Sequence, residues 1–378
     1  MNFSFSEEEQ MLSEAARRLI GAHYGFERRQ RIRASAEGWS REMWTQLGAL
    51  GLLAINIPEE DGGYGAGPIS TMLACNAVGE GLLLEPFLSS AVVATRTIAQ
   101  MGSREQRTRW LPEMATGERI SVLAHEEAED SIDLLNIRTN ATEIPGGWEI
   151  NGRKSLIYHA PMANLLLITA RTDGELGLFA VAADTPGVNQ LPDITLDDQR
   201  ACDLLLENVR VPAQARLGGD ARETLEAVLD YGLAALCAEA IGAMERLLQT
   251  TITYSRSRKQ FGVPIGSFQA LQHRMAEMLM HLEQARSMSY LAATRCTDPD
   301  SRSRRAALSA AKTLMGKAAR YIGQQAVQLH GGMGMTDELD VSHYFKRLLA
   351  FELRCGTTGR HLEIYRRGMV FARARGGG

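Results

Sequence analysis

The spacing of the apolar residues changes twice along this chain, and those two changes limit the fold more than any single motif does. Up to about residue 117 the apolar positions recur with helical spacing. Ser6 with Glu9 and Ser103 with Gln106 are spaced as capping boxes, in which each side chain satisfies the other's free backbone N–H. Gly- and Pro-rich clusters such as PEEDGGYGAGP part the helical runs. Between about 118 and 215 the apolar residues fall instead in short runs, ISVLA, LLLIT, LGLFAVA and LLLENVRVP. These are punctuated by Gly146-Gly147 and by Asn151-Gly152, a dipeptide that favours a two-residue hairpin turn. Helical spacing returns after Arg222, with Leu225, Val228, Leu233, Leu236, Ala240, Met244 and Leu247 on one face, then Met275, Met278, Leu282 and Ala285 on the next helix. The expected fold is α+β and multidomain: an N-terminal α-helical domain (1–117), a middle β domain built as a barrel or sandwich (118–215), and a C-terminal four-helix bundle (216–378). The polar run CTDPDSRSRR, Cys296 to Arg305, is expected to be a solvated loop between bundle helices. Met and Leu positions on more than one bundle face exceed what one bundle needs, which makes the bundle the expected core of a tetramer.

Composition removes several function classes. Lys and Arg total 41 against 45 Asp and Glu, a formal net charge of −4, so no global charge favours nucleic acid as a partner. The acidic start MNFSFSEEEQ is unlike a secretory signal, and no stretch is expected to reach the roughly 20 apolar residues of a membrane span. A soluble, cytoplasmic chain with no membrane partner is expected. Five widely spaced cysteines, Cys75, Cys202, Cys237, Cys296 and Cys355, form neither a disulfide framework nor a paired metal signature. None of the eight histidines stands at metal-binding spacing from Cys or Asp, so no metal is expected.

Two strings in the last third carry chemistry. In YSRSRKQFGVPIGSFQALQHRMAEM, beginning at Tyr254, Arg258 closes a long helix, Gly262 and Pro264 break it, and Gln269 and Gln272 open the next. An arginine fork suits a diphosphate because it donates paired, charge-assisted hydrogen bonds. In QQAVQLHGGMGMTDE, Gln328 ends a helix, and Gly331, Gly332 and Gly334 let backbone approach a ligand closely. Alone, each has an ordinary structural explanation, a helix C-terminal dipole partner and a helix-terminating glycine.

Together the two strings resemble the acyl-CoA dehydrogenase family, and the resemblance extends to GLLAINIPEEDGGYG and ENVRVP earlier in the chain. It implies an FAD-dependent α,β-dehydrogenation of an acyl-CoA thioester, in which a carboxylate removes the α proton and the flavin accepts the β hydride. It also implies a flavin shared across a subunit interface, with Arg258, Phe261, Gln269, Gln328 and Gly332 contacting it.

Three departures from the family pattern redirect the functional expectation. The family's Glu-Gly-Thr base string is here Cys355-Gly356-Thr357, and the alternative base position on the first bundle helix is Gly232. The family's Thr-Glu-Pro stretch, which lines the flavin ring, is replaced from His125 to Asp133 by a segment carrying Glu126, Glu127 and Glu129, acids expected to crowd the ring. The family's Trp-Ile-Thr is Leu156-Ile157-Tyr158, whose tyrosine is expected to do the same. No catalytic residue is therefore expected in this chain. The resemblance is strongest to small subunits of heteromeric bacterial enzymes acting on pimeloyl-CoA-like or steroid side-chain thioesters, and it implies a partner subunit that carries the catalytic Glu. The alternatives are a homo-oligomer with a relocated base, for which Cys355 and Glu352 are candidates, and a flavin-free acyl-CoA-binding or assembly subunit. His330 and His343 are expected to be packing or interface residues.

Overall fold

The computed structural model describes residues 5–127 and 134–375. Its three-part architecture is the one expected. The N-terminal part consists of α1 (Glu7–His23), α2 (Phe26–Ala34), α3 (Arg41–Ala49), α4 (Gly67–Glu80), α5 (Thr95–Met101) and α6 (Arg104–Thr116), with a π-helical segment at Phe87–Ala94. Both expected capping boxes form, at Ser6/Glu9 ahead of α1 and at Ser103/Gln106 ahead of α6.

The middle part is an eight-stranded sheet: β1 (Ser121–Ala124), β2 (Asn140–Ile144), β3 (Gly147–Tyr158), β4 (Leu165–Arg171), β5 (Leu176–Ala182), β6 (Val188–Ile194), β7 (Arg200–Pro212) and β8 (Arg216–Leu217). The pairing β6-β7-β3-β2 meets β4-β5-β8 through one pair, Asn140 with Arg171, and β1 lies parallel to β4. Trp148 of β3 packs on Phe179 of β5 with ring centroids 5.3 Å apart, so the two halves share a core. The outer face of β4 and β5 is covered as well, by Ile98, Met101, Leu111 and Leu225 among others. Burial on both faces explains why these strands read as unbroken apolar runs, whereas β7 alternates. The Asn151-Gly152 expectation fails. The β2–β3 turn is Pro145-Gly146, and Asn151-Gly152 lies inside β3 at a register shift, Gly152 having φ +150°. Asn151 Oδ1 accepts from the backbone N–H of Asn208, φ +53°, so its turn-forming side chain braces the facing strand.

The C-terminal part contains α7 (Arg222–Ser257), α8 (Gln269–Arg295), α9 (Ser301–His330), α10 (Asp340–Leu353) and α11 (Thr358–Arg375). A two-stranded ribbon, β9 (Lys259–Gln260) and β10 (Val263–Pro264), lies between α7 and α8. The expected loop from Cys296 to Arg305 is shorter than read: Asp300 caps α9, and Arg304 is buried against Asp230 at 2.7 Å. Helix α7 corrects a second expectation, since it is long and apolar enough to cross a membrane, yet 83% of its apolar window is buried inside the fold. It is the core helix onto which α4, α8, α9 and α10 pack.

Contact between α4 and α7 is backbone on backbone. A Cβ on Gly79 would stand 1.8 Å from the carbonyl oxygen of Glu239, and one on Gly242 would stand 1.9 Å from that of Asn76. Neither obstacle is a side chain that can rotate away. Gly242→Ala should therefore force the two helices apart and lower stability by about 1–3 kcal/mol or more, read as a lower denaturation midpoint. An unchanged midpoint would mean that this crossing tolerates separation.

Candidate functional site

Helix α10 stops at Leu353, and the four residues Arg354–Thr357 turn the chain into α11, with φ +55° at Cys355 and +98° at Gly356. The turn is held from beneath. Lys312 of α9, fully buried, donates to the carbonyls of Phe351 and, at 3.0 Å, of Arg354. Burial pulls its ammonium down to about 8. His361 donates from Nε2 to the Cys355 carbonyl at 2.8 Å, leaving Nδ1 to accept from Ser309 at 3.1 Å. Glu352 accepts from the Thr358 N–H at 3.2 Å and pairs with Arg320 at 3.6 Å. It is thus engaged at the start of α11, and it does not line the cleft that Cys355 faces.

Cys355 and Gly232 line one cleft, so the two base positions read from sequence meet in space and neither brings a carboxylate. The opposite wall comes from the sheet: His125, Glu126, Leu156 and Tyr158. This space measures about 70 Å³. Through His125, Glu126, Leu229 and Cys355 it adjoins a larger cavity of about 450 Å³. Leu233, Leu308 and Ile364 form the apolar part of that cavity, and Arg305, Arg360 and Arg367 stand among its charged lining. Burial, then Glu126, raises the Cys355 thiol above its ordinary value, with Arg354 and Lys312 pulling the other way, so it is not a poised thiolate.

The acids expected beside the flavin ring separate. Glu127 turns into the sheet, where Lys154 pairs with it at 2.7 Å and Thr139 donates to it at 2.7 Å. Glu129 lies outside the described residues. Glu126 does face the cleft, 23% exposed, and burial pushes its carboxyl up to about 7 against the pull of Arg354. His125, with Nε2 3.9 Å from Glu126, is held down to about 4 by burial and then by Lys154. The cleft therefore contains a carboxyl that exchanges its proton near neutrality beside a neutral imidazole.

Arg354, next to Cys355 in the sequence, has a larger part in the site than that position suggests. Its guanidinium lies 4.1 Å over the centroid of the Tyr158 ring. Tyr158 is aimed there by local backbone. A register shift between Lys154 and Ile157, φ +52° at Leu156 and φ +64° at His159 re-direct the end of β3, and Asp203 accepts from the Leu156 N–H at 2.8 Å. Lys312, His361 and Arg354 were not legible as site residues. Their one sequence signal is a lysine inside the apolar stripe LSAAKTLMGKAA.

The other set of residues lies at the far end of α7. Arg258 caps that helix and is exposed. The β9–β10 turn is Phe261-Gly262, with φ +54° and +83°, both positive as the two-residue turn requires. Phe261 is a costly residue there, and it is 90% exposed, edge-on to Phe268 with centroids 6.1 Å apart. Gln269 opens α8 and is exposed, as is Gln328 near the end of α9. The Tyr254–His330 stack, centroids 4.2 Å apart, and the Arg274–Gln325 bond at 3.2 Å draw the ends of α7, α8 and α9 together. Gly331 has φ +61°, and a Cβ on Gly332 would meet nothing within 4 Å. His330 packs as expected, and so does His343, buried against Arg29 at 3.0 Å and Asp198 at 3.3 Å.

Domain families described as the N-terminal, middle and C-terminal domains of acyl-CoA dehydrogenase match residues 6–118, 123–209 and 219–370. The acyl-CoA dehydrogenase FadE12 of Mycobacterium tuberculosis is 32% identical over 354 residues, 90% of each chain. The chain belongs to the acyl-CoA dehydrogenase family. Among solved structures, the ChsE4-ChsE5 complex from Mycobacterium tuberculosis superposes with a TM-score of 0.89 at 27% identity, covering 98% of this chain and 99% of that one. A variant of the Tcur3481-Tcur3483 steroid ACAD superposes at 0.88 and 27%, covering 97% and 99%. Acyl-CoA dehydrogenases are oxidoreductases acting on CH–CH bonds, with FAD as cofactor. Tested against that cofactor, the α7–α8–α9 end offers an arginine fork, an exposed aromatic and open glycine backbone, which fit an ADP arm. The ring side fits poorly, because Tyr158 and Arg354 already stack there.

Glu126 gives this site a pH signature. Folded, it keeps its proton up to about pH 7; unfolded, it loses it near its ordinary 4.5. Its contribution to stability is complete below the unfolded value and is lost as pH rises through the folded one. Glu126→Gln cannot ionise, so its advantage over the unsubstituted chain in denaturant titrations should widen from about pH 5 to about pH 8. An advantage that does not change with pH would mean that Glu126 is a solvated carboxylate.

Proposed function

We propose that this chain is the non-catalytic subunit of a heteromeric FAD-dependent acyl-CoA dehydrogenase. In this reading it lends the ADP-binding end of its bundle to a flavin whose ring, and whose catalytic Glu, belong to a second subunit of the same family. One observation carries the reading: Cys355 and Gly232 line the same cleft, and neither side chain can take the α proton of a thioester. That step needs a carboxylate within about 3 Å of the proton. FAD, when bound, supplies the hydride acceptor. In this chain Arg258 would clasp the diphosphate, Phe261 would cover the apolar surface of the cofactor, and Gln269, Gln328 and the Gly332 backbone would hold the remainder of the ADP arm. Support for a second subunit comes from the ChsE4-ChsE5 neighbour, a complex by its own description. The likeness to a steroid ACAD supports a bulky acyl-CoA thioester as the substrate of the assembly.

Glu126 favours a second reading, a catalytic homo-oligomer, because a carboxyl titrating near 7 in a cleft is suited to general-base work. The two readings separate in the complex isolated through a tag on this chain. Arg258→Ala should weaken FAD retention about 10- to 100-fold, and Gln328→Ala should act in the same direction but less. Cys355→Ala should keep nearly all thioester desaturation, and Cys355→Glu, assayed as this chain alone, should stay inactive. Unchanged flavin content in the Arg258 variant would sink the ADP-arm reading. Loss of turnover in Glu126→Gln, with flavin and assembly intact, would favour the catalytic one.

A further inference from the structure

We propose that this chain shuts the isoalloxazine out of its own ring pocket, the Tyr158–Arg354 pair filling that place. The proposal deepens the ADP-arm reading above and rests on it for the comparison with ADP alone. The two segments that the resemblance assigns to the flavin ring, at His125–Glu126 and Leu156–Tyr158, do converge, but the space between them and Cys355 is about 70 Å³. A cavity of about 150 Å³ takes up a single benzene ring. Three fused rings need far more, and the adjoining cavity is lined by Leu233, Leu308 and Ile364 of the bundle and not by Leu156 or Tyr158, so the ring place itself would have to be emptied of side chains first.

The side chains in question are not loose. Arg354 covers one face of Tyr158 at 4.1 Å, which is the aromatic surface an incoming ring would otherwise use. The carbonyl of Arg354 is fixed by buried Lys312 at 3.0 Å, and the next carbonyl, that of Cys355, by His361 at 2.8 Å. Tyr158 pairs with Ala201 on β7, and His159 beside it is buried and bonded through Nδ1 to Ser89 at 2.8 Å. Shifting the backbone under either member would break a buried polar contact, each costing about 1–3 kcal/mol, so any opening has to come from the two side chains themselves. Leu156, 46% exposed where the family pattern has Trp, offers no aromatic platform in exchange.

The test needs no partner. The purified full-length chain is titrated with ADP, FAD and FMN, which carries the ring without the ADP arm. The expected result is that FAD binds no more than about threefold tighter than ADP, that FMN is not retained, and that the visible absorption of FAD is unshifted. Opening the pocket with Tyr158→Thr and Arg354→Ala together should make FAD bind at least about tenfold tighter than ADP and shift its spectrum. Tyr158→Phe alone, which keeps the stacked face, should behave as the unsubstituted chain; a Tyr158→Phe chain that retains FMN would overturn the proposal. Retention of FMN by the unsubstituted chain, or a folded double variant that gains nothing, would overturn it too. Failure of ADP to bind would instead sink the ADP-arm reading, while FMN still decides whether the ring is excluded.

Discussion

Arg347 of α10 is the buried cation at which all three parts of the chain meet. Its guanidinium lies 2.6 Å from Asp197, in the loop after β6, and 2.6 Å from Glu239 of α7, and it donates to the Leu83 carbonyl of the N-terminal part at 3.1 Å. The approach to Asp197 is an ion pair without a well-aligned hydrogen bond. Taking an arginine and two carboxylates out of water costs several kcal/mol per ion, so the cluster stands only because each charge finds its counter-charge there. Such a group confers geometry more than net stability. A second buried arginine, Arg29 of α2, reaches the Asp197 carbonyl and the Asp198 side chain, so the same loop is gripped from two sides.

The position of α10 has a direct consequence for the cleft. Arg347 and Lys312 together fix where the helix ends, and Arg354 and Cys355 follow within the next turn. The positive φ values at Leu156, His159 and Cys355 then gather around one small space, and that at Phe261 marks the other end of α7. Conformations of this kind persist where the surroundings over-determine them, and they concentrate at ligand sites and switch regions. Here one of the two strained places encloses a stacked Tyr–Arg pair, and the other presents an exposed aromatic to whatever binds beside it.

In the proposed reading the chain combines an end suited to the ADP arm of a flavin with a ring pocket closed by its own side chains. Sharing of one cofactor between subunits makes that combination workable, because the two halves of a site need not degrade together. With no carboxylate at Cys355 or Gly232, the proposed reading leaves no need to keep a ring beside them, and Tyr158 and Arg354 can occupy the space.

The order helices, sheet, helices was legible because burial on one face, on two faces or on alternate residues imposes its own period on a sequence, as in the alternating β7 and the unbroken β4 and β5. The capping boxes were legible because both partners lie three residues apart. The departure from the family's Glu-Gly-Thr was legible too, since Cys355-Gly356-Thr357 is a local string. What the sequence could not show is whatever joins residues distant along the chain. Asn151-Gly152 carries a turn signal, but pairing with β7 made it a bulge. Glu126 and Glu127 are adjacent and chemically identical, and only the course of the folded chain beyond β1 sends one to Lys154 and the other into the cleft. Arg354 and Tyr158 stand almost two hundred positions apart, so their stacking was decided by tertiary packing alone, with α10 anchored at Arg347 and β3 bent at Leu156.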